Sequence, residues 1–261
     1  WQKKVEAFRN LNRLNQEHIV RFVTAFRHQT SDGKAKFFLM FEWADGGNLF
    51  DLWQRMPSPI LAARLVKDVI QQILGLAKAL EAAHSLNKTG VSYRHGHINS
   101  RDILVFHNNR GLIGTWKFDG WGEARKHDGV VEMRPIETRM RHGIQRYEAP
   151  EAVIGLRSHF FDDAVSPSRR SDIWSIGCVI LEIIIWLLYG EYGVDQFQRD
   201  LEHSCFYQIS EIDGRRLARV HDVVERWMNQ MEKDPRCKVD TTAIGDLLEI
   251  VRTGLLVVKL P

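Results

Sequence analysis

A long and almost uninterrupted apolar segment in the second half of the chain places the strongest constraint on the fold. It reads SRRSDIWSIGCVILEIIIWLLYG from Ser168 to Gly190, and Glu182 is the one acid in its apolar part. That part, Ile176 to Tyr189, is shorter than the about 20 apolar residues that a bilayer span requires, and its flanks do not suit a membrane helix. The segment therefore predicts a helix that is buried on nearly every face, at the centre of a sizeable soluble domain.

The composition is typical of an ordinary folded protein. With 261 residues and 44% hydrophobic content, the chain can fill one large core or two small ones. The 36 basic and 33 acidic residues give a net charge of +3, which is too small to indicate a nucleic-acid surface. Three widely spaced cysteines favour a reducing compartment, so we expect an intracellular, cytoplasmic protein. We also expect it to bind neither nucleic acid nor membrane. The chain shows no secretory signal and opens at Trp1 without a methionine, so we expect it to be part of something longer.

Hydrophobic periodicity divides the chain into a short mixed region and a longer, mainly helical region. Apolar residues recur at helical spacing from Trp1 to Leu14. The next two segments are rich in β-branched and aromatic residues and are joined by SDGK, which predicts a strand hairpin. After Gly46 and Gly47 the chain is predicted to be largely helical, except for loops with short apolar runs between Val91 and Pro150. The predicted helices in this part lie in NLFDLWQRM, ARLVKDVIQQILGLAKALEAAHSL, HDVVERWMNQM and TTAIGDLLEIVRTGLLVV.

Four further segments occur in one order and at plausible spacing: YRHGHINSRDILVF, GTWKFDGWGEARK, QRYEAPE and SRRSDIWSIGCVILEIIIW. Together they resemble the motifs of a protein kinase, and an ordered set is far more specific than any one of them. The strings RYEAPE, IIIWLLYG and LLEIVRT are most similar to kinase-like domains of filamentous fungi. The chain is thus identified as a member of the protein kinase superfamily whose catalytic motifs are degenerate.

The resemblance implies an α+β, two-lobe fold with a truncated small lobe and a large, mainly helical lobe. Residues 1–44 correspond to the remnant of the N lobe, with its regulatory helix, last strands and hinge, and residues 45–261 to the C lobe. The family's strands 1 to 3 have no counterpart in the chain. In the family these strands supply the glycine-rich loop over the phosphates and a phosphate-binding lysine.

The resemblance also identifies positions in the small lobe. Lys4 stands where the family's first helix carries the glutamate that pairs with the phosphate-binding lysine, and one cation cannot hold another. Glu6 lies two residues along and faces another side of the helix, so we expect Lys4 to be an exposed residue on a solvated face. By the same resemblance, Phe41 limits a nucleotide pocket, and the hinge backbone is formed by Glu42, Trp43 and Ala44. A purine-like ligand is compatible with such a hinge, and ordinary packed core is the alternative.

The catalytic loop departs most sharply from the family pattern. His97 stands in the slot of the aspartate that accepts the substrate's hydroxyl proton, and Asn99 replaces the lysine that neutralises the transferring phosphate. A histidine can act as a base, but it does not supply the negative charge that orients the hydroxyl. Asp102 occupies the position of a magnesium-binding asparagine and can coordinate a hard cation equally well.

The family's Asp-Phe-Gly triplet aligns with Gly120, Trp121 and Gly122, which removes the main magnesium carboxylate. Asp119 is adjacent, but in an extended chain it points to the opposite face. A bulge at Gly120 would turn Asp119 inward, since glycine tolerates the required dihedral angles, and a simple turn residue is the alternative. His95 and His97 form a weak metal pair because no third ligand is near them in the sequence, so no metal site is expected.

The segment that follows is the counterpart of the activation segment. It places Ile144 where serine/threonine kinases usually carry a threonine. The basic cluster Arg139, Arg141 and His142 is compatible with a bound phosphate or with a solvated loop face.

Positions that anchor the fold are retained, in contrast to the chemical slots. Glu151 ends an Ala-Pro-Glu motif, and Lys238 stands where the family's paired arginine lies, so a weaker ion pair is expected. Asp172 begins the long apolar helix and, by the resemblance, caps the backbone of the catalytic loop.

The loss of chemical groups beside an intact core pattern favours a pseudokinase. Such a protein acts as a binding or regulatory module, so we expect a protein partner and no cofactor. The alternative is an atypical, active ATP-dependent serine/threonine kinase in which His97 is the base and Asp102 and Asp119 hold magnesium. A third hypothesis, a fragment of a decayed gene, is disfavoured by the intact core pattern.

Overall fold

The computed structural model describes residues 1–85, 92–107, 111–121, 125–126, 146–151, 169–202, 204–212 and 215–258. Five of the positions discussed above, Gly122, Arg139, Arg141, His142 and Ile144, lie outside the described residues. The chain forms two compact units. The first comprises the described residues of Trp1–Leu52, Lys67–Gly96 and Ser100–Gly129, and the second those of Trp53–Val66, His97–Asn99 and Val130–Pro261. Since both units are discontinuous in sequence, the predicted boundary between residues 44 and 45 stays a prediction.

Helices and small two-stranded sheets alternate along the chain, so the predicted α+β class is confirmed. The helices are α1 (Gln2–Arg13), α2 (Leu49–Arg55), α3 (Ala63–His84), α4 (Arg169–Asp200), α5 (Asp222–Met231) and α6 (Ala243–Ile250), with a 3-10 turn at Pro235–Cys237 and a π turn at Val251–Leu255. The strands are β1 (Phe22–Gln29), β2 (Ala35–Phe41), β3 (Tyr93–Arg94), β4 (Ile103–Phe106), β5 (Thr115–Phe118), β6 (Arg125–Lys126), β7 (Tyr207–Ile212) and β8 (Arg215–Val220). The sheets are antiparallel pairs: β1 with β2, β3 with β6, β4 with β5, and β7 with β8.

The first helix and the hairpin after it form as the sequence predicts. The apolar stripe of α1 is buried at Val5, Phe8 and Leu11, as helical spacing requires. The ring of Phe8 packs against Phe22 at 5.6 Å and Phe41 at 4.8 Å between ring centroids, so an aromatic cluster attaches the helix to the hairpin. Phe41, predicted to limit a nucleotide pocket, therefore belongs to this cluster.

Close packing fixes α3 against the segment that precedes β1. The ring of His18 occupies the space beside Gly75, where an added Cβ would lie 2.0 Å from the His18 Nε2 atom. The His18 Nδ1 donates to the Trp116 carbonyl at 2.7 Å, and burial lowers the pKa of the imidazole. Hydrogen bonds from Val20 N–H to Phe118 O and from Phe118 N–H to His18 O join the same segment to β5.

Helix α4 is the core element of the second unit, as its apolar sequence predicts. The predicted end at Gly190 is confirmed as a break, because the backbone of Gly190 is non-helical, and a second helical stretch follows it to Asp200. Gly190 has a φ of 71°, and the Pro57 carbonyl, which accepts from Glu191 N–H, lies 2.2 Å from where a Cβ would stand. The first helical stretch therefore ends at the predicted glycine, because only a glycine fits this backbone conformation and close approach.

The length of α4 also corrects the argument against a membrane span. By length and composition alone the helix is long and apolar enough to cross a membrane, and 89% of its most apolar window is buried inside the structure. A core helix passes the same test, so the helix is weak evidence for a span.

One hairpin was not predicted. The chain after Pro150 was expected to be helical, yet β7 and β8 pair from Tyr207↔Val220 to Ile212↔Arg215. The sequence signal was the Asp213-Gly214 dipeptide between two segments of alternating polarity, a common hairpin pattern.

Candidate functional site

His95 anchors the site in the first unit. It follows β3, is 0% exposed, and its ring packs against Trp121 at 4.7 Å and Phe118 at 5.8 Å between centroids. Its Nε2 bonds the Asp119 carbonyl at 2.5 Å, and because a carbonyl can only accept, that nitrogen carries the proton. His95 therefore holds the Asp119–Trp121 backbone, and the protonated Nε2 is not a metal ligand.

Gly120 lies beside this anchor in a conformation that ordinary residues avoid. Its φ is +80°, in the left-handed region. A Cβ at this position would lie 3.2 Å from the Asp102 Cγ and 3.3 Å from the His95 Cε1. The slot of the family's magnesium-binding aspartate thus holds a residue without a side chain, and any side chain there would be both strained and crowded.

Asp119 and Asp102 are brought together by the same turn. The Asp119 N–H donates to the Asp102 carbonyl at 2.8 Å. Desolvation raises the pKa of the Asp119 carboxyl, the Asp102 charge raises it further, and a hydrogen bond from Gly120 N–H and the neighbouring His95 oppose the shift. The charge of Asp102 thus acts on the Asp119 carboxyl, and the bulge that would turn Asp119 inward stays a prediction.

Two acids are few ligands for a metal ion. Across the described ranges there is no group of three or more His, Cys, Asp or Glu side chains that could hold one. The pairing of His95 with His97, a weak metal signal in the sequence, gains no support, since the Nε2 of His95 is committed to a carbonyl.

His97 and Asn99 interact within the second unit. Asn99 is 2% exposed, and its Nδ2 donates to the His97 carbonyl at 3.1 Å and lies 3.3 Å from the His97 Nδ1. The Asn99 amide can donate to the His97 Nδ1 only through the lone pair of that nitrogen, which a general base would need. The amide of Asn99 is turned back on its own loop and is buried.

The hinge residues of the first unit are held by side-chain contacts. The Glu42 carboxylate accepts from Lys117 Nζ and from Arg21 N–H, both at 2.8 Å. Lys117 also lies over the Phe106 ring, 4.5 Å from its centroid, whereas Trp43 is 85% exposed. The Glu42 carbonyl and Ala44 N–H make no hydrogen bond among the described residues, so the main-chain groups that a purine would use are available.

The predictions for α1 and for the anchoring ion pair have different outcomes. Lys4 and Glu6 are both exposed, as the solvated-face interpretation of Lys4 expects.

The expected ion pair between Glu151 and Lys238 is wrong, because no such contact exists between these two described residues. Lys238 is exposed, and its carbonyl accepts from Thr241 and Thr242 at the start of α6. Asp172 is 1% exposed at the start of α4, and its capping role stays a prediction.

Glu182 is the one acid in the apolar part of the long helix, and the sequence assigned it no role. It is 0% exposed within α4, where its carboxyl accepts from Tyr147 Oη at 2.8 Å and from Gln198 Nε2 at 3.1 Å. Burial raises the pKa of Glu182 to about 7, against the two hydrogen bonds. The backbone of Tyr147 is held as well, since Ser175 Oγ donates to its carbonyl at 2.7 Å.

Comparison with known proteins gives one family. The model of the protein kinase domain matches residues 3–236. MAP kinase kinase kinase wis4 of Schizosaccharomyces pombe is 28% identical over 67% of the chain, and activin receptor type-1C of Rattus norvegicus is 26% identical over 70%. A probable inactive leucine-rich repeat receptor-like protein kinase of Arabidopsis thaliana is 30% identical over 56%. The matches span 11%, 34% and 20% of these relatives' own lengths.

Proposed function

The chain belongs to the protein kinase family, and from that premise we propose that it is a pseudokinase, a binding or regulatory module that does not transfer phosphate. Its α+β fold is consistent with the two-lobe fold of that family. We further propose that it works on a protein partner inside the cell.

The observation that carries this proposal is the environment of Gly120. Phosphoryl transfer depends almost entirely on positioned charge, above all on carboxylates that hold magnesium against the phosphates. Gly120 stands in the slot of the main carboxylate, and its left-handed backbone crowds any Cβ against Asp102 and His95. The carboxylate of the family is therefore lost at this position, and no other acidic side chain replaces it there.

The catalytic loop supports the same proposal. The amide of Asn99 contacts the carbonyl and Nδ1 of His97. A ring engaged in this way is a poor general base, and a buried neutral amide cannot neutralise a phosphate as a lysine does.

The residues present fit magnesium and ATP poorly. The hinge backbone at Glu42 and Ala44 is compatible with a purine ring, whereas the described residues beside Gly120 offer two acids, Asp102 and Asp119, for a cation. We therefore propose no cofactor.

The second candidate is an atypical active kinase, and one observation favours it. Asp119 and Asp102 interact electrostatically beside the left-handed Gly120, so a pair of acids stands close to the lost position. In this alternative the two acids hold magnesium and His97 serves as the base.

Calorimetric titration of the protein with ATP, in magnesium and in EDTA, separates the two candidates. A pseudokinase is expected to bind ATP with equal affinity in both buffers, or not at all. The variant Asp119→Asn should then leave the titration unchanged.

The alternative makes the opposite prediction. Magnesium would raise ATP affinity tenfold or more, and Asp119→Asn or Asp102→Asn would abolish the gain. Glu81→Gln, which removes an exposed acid on α3, is the matched control and should retain it.

A further inference from the structure

The connection between α2 and α3 exposes a serine that stands between two prolines. Residues 56–62 read MPSPILA and lie outside the helices and strands. Ser58 and Pro57 are exposed, and Ile60 is 86% exposed. The Ile60 carbonyl accepts from Ala62 N–H at 2.8 Å, which is a bond within the connection itself. An enzyme can therefore approach the connection on both sides of Ser58.

The two residues before Ser58 hold the connection in place. The Met56 carbonyl accepts from Trp186 Nε1 at 2.9 Å, and the Pro57 carbonyl accepts from Glu191 N–H at 2.8 Å. Both donors belong to α4, the core helix of the same unit. The serine is thus presented from an anchored backbone, and an anchored segment loses little conformational freedom when an enzyme binds it.

The hydroxyl of Ser58 is not used by the fold. It makes no hydrogen bond to any residue that the structure describes. A serine hydroxyl often bonds a backbone N–H close ahead of it, but Pro59 has no N–H, and it also disfavours a helical conformation at Ser58. Among the serines and threonines in the described ranges, Ser58 alone is followed by a proline. Proline-directed protein kinases select an accessible hydroxyl that a proline follows.

We propose that Ser58 is a phosphorylation site for a proline-directed protein kinase. The Ser58 Oγ attacks the γ-phosphorus of ATP bound to that enzyme, the bond from this phosphorus to the β–γ bridging oxygen breaks, and ADP leaves. The hydroxyl proton passes to the base of the enzyme. A second enzyme supplies the phosphate, so the inference goes beyond the proposed function and does not depend on whether this chain transfers phosphate.

The test incubates the full chain with ATP, magnesium and a purified MAP kinase, and locates added phosphate by mass spectrometry of the intact protein and its peptides. The sequence holds one further Ser-Pro pair, at Ser166, so every protein carries Ser166→Ala. One phosphate on Ser58 is expected, and Ser58→Ala should remove it. Pro59→Ala should slow the reaction about tenfold, because the proline is read by the enzyme. Ser210→Ala, which removes an exposed serine that no proline follows, should keep the phosphate.

A reaction without the added kinase is the control, and it should give no phosphate. Phosphate on Ser58 in that control would overturn the assignment to a second enzyme. Phosphate confined to other residues, or an equal rate in Pro59→Ala, would also overturn the proposal.

Hydrogen exchange tests whether the folded chain is the substrate. The Glu191 amide should stay protected after phosphorylation, because its bond to the Pro57 carbonyl precedes the exposed serine. Loss of this protection in the phosphorylated chain would mean that the enzyme modified an unfolded connection, and the proposal would then be wrong.

Discussion

At the residue scale, the left-handed conformation of Gly120 is the feature that most affects the chemistry of the site. The chain contains a matched position, because Gly33 has a φ of +78° with no atom within 4 Å of an added Cβ, whereas Gly120 has Asp102 and His95 close by. Gly33→Ala should therefore lower the free energy of unfolding by about 1 kcal/mol from the backbone alone.

Gly120→Ala should lower the free energy of unfolding by roughly 1 kcal/mol more than Gly33→Ala does, since the added methyl group is also crowded at Gly120. Chemical denaturation of both variants measures the difference. Equal losses in the two variants would mean that the space beside Gly120 is larger than described.

Glu182 gives a residue-scale prediction of pH dependence. Its pKa is raised from 4.5 to about 7 in the folded protein, so the folded state holds a proton that the unfolded state releases. The stabilisation from this group is complete below pH 4.5 and is lost as the pH rises to about 7. The change is on the order of 3 kcal/mol.

Glu182→Gln should flatten the stability profile between these pH values, because the amide does not ionise. Denaturant titrations across the pH range measure this. The exposed control Glu81→Gln should keep the wild-type slope, and a Glu182→Gln protein with that same slope would refute the assignment.

The sequence identifies the positions of several site residues, but it does not identify their contacts. The family motifs identify His97, Asn99, Asp102 and Gly120 by order and spacing. The contact between Asn99 and His97 and the commitment of the His95 proton to a carbonyl depend on backbone turns, which residue types alone do not specify. Glu182 was visible as one acid in an apolar helix, but Tyr147 precedes that helix and Gln198 lies beyond the break at Gly190, so helical spacing predicts neither contact.

At the element scale, the packing of α3 against the His18 ring depends on the absence of a side chain at Gly75. An added Cβ at Gly75 would lie 2.0 to 2.4 Å from three atoms of the His18 ring. Gly75→Ala should therefore displace His18 and lower the free energy of unfolding by about 2 to 3 kcal/mol.

Gly254→Ala is the control for this substitution, because no atom lies within 4 Å of an added Cβ there. It should be near neutral. Thermal unfolding of the two variants gives the comparison, and similar melting temperatures would contradict the described packing of His18 on α3.

The elements show where sequence patterns suffice. Helix α1, the β1–β2 hairpin and α3 have strong periodicity and form close to the predicted bounds. The second helical stretch of α4, after the break at Gly190, was not predicted; its first residue bonds the Pro57 carbonyl, and no local pattern encodes that contact. The β7–β8 hairpin was missed because the chain after Pro150 was predicted to be largely helical, and no element was assigned between Gly190 and His221.

At the scale of the whole molecule, membership of the kinase family and phosphoryl transfer are separate properties. The family match covers residues 3–236, and a kinase-like α+β architecture is retained. The central claim is that this architecture supports binding without phosphoryl transfer.

The measurement that tests this claim most directly is the intact mass of the full-length protein and of casein after incubation with magnesium and ATP. The account predicts no added phosphate on either protein above the level given by Asp102→Asn. Addition of about one phosphate per molecule, lost in Asp102→Asn and kept in Glu81→Gln, would contradict it.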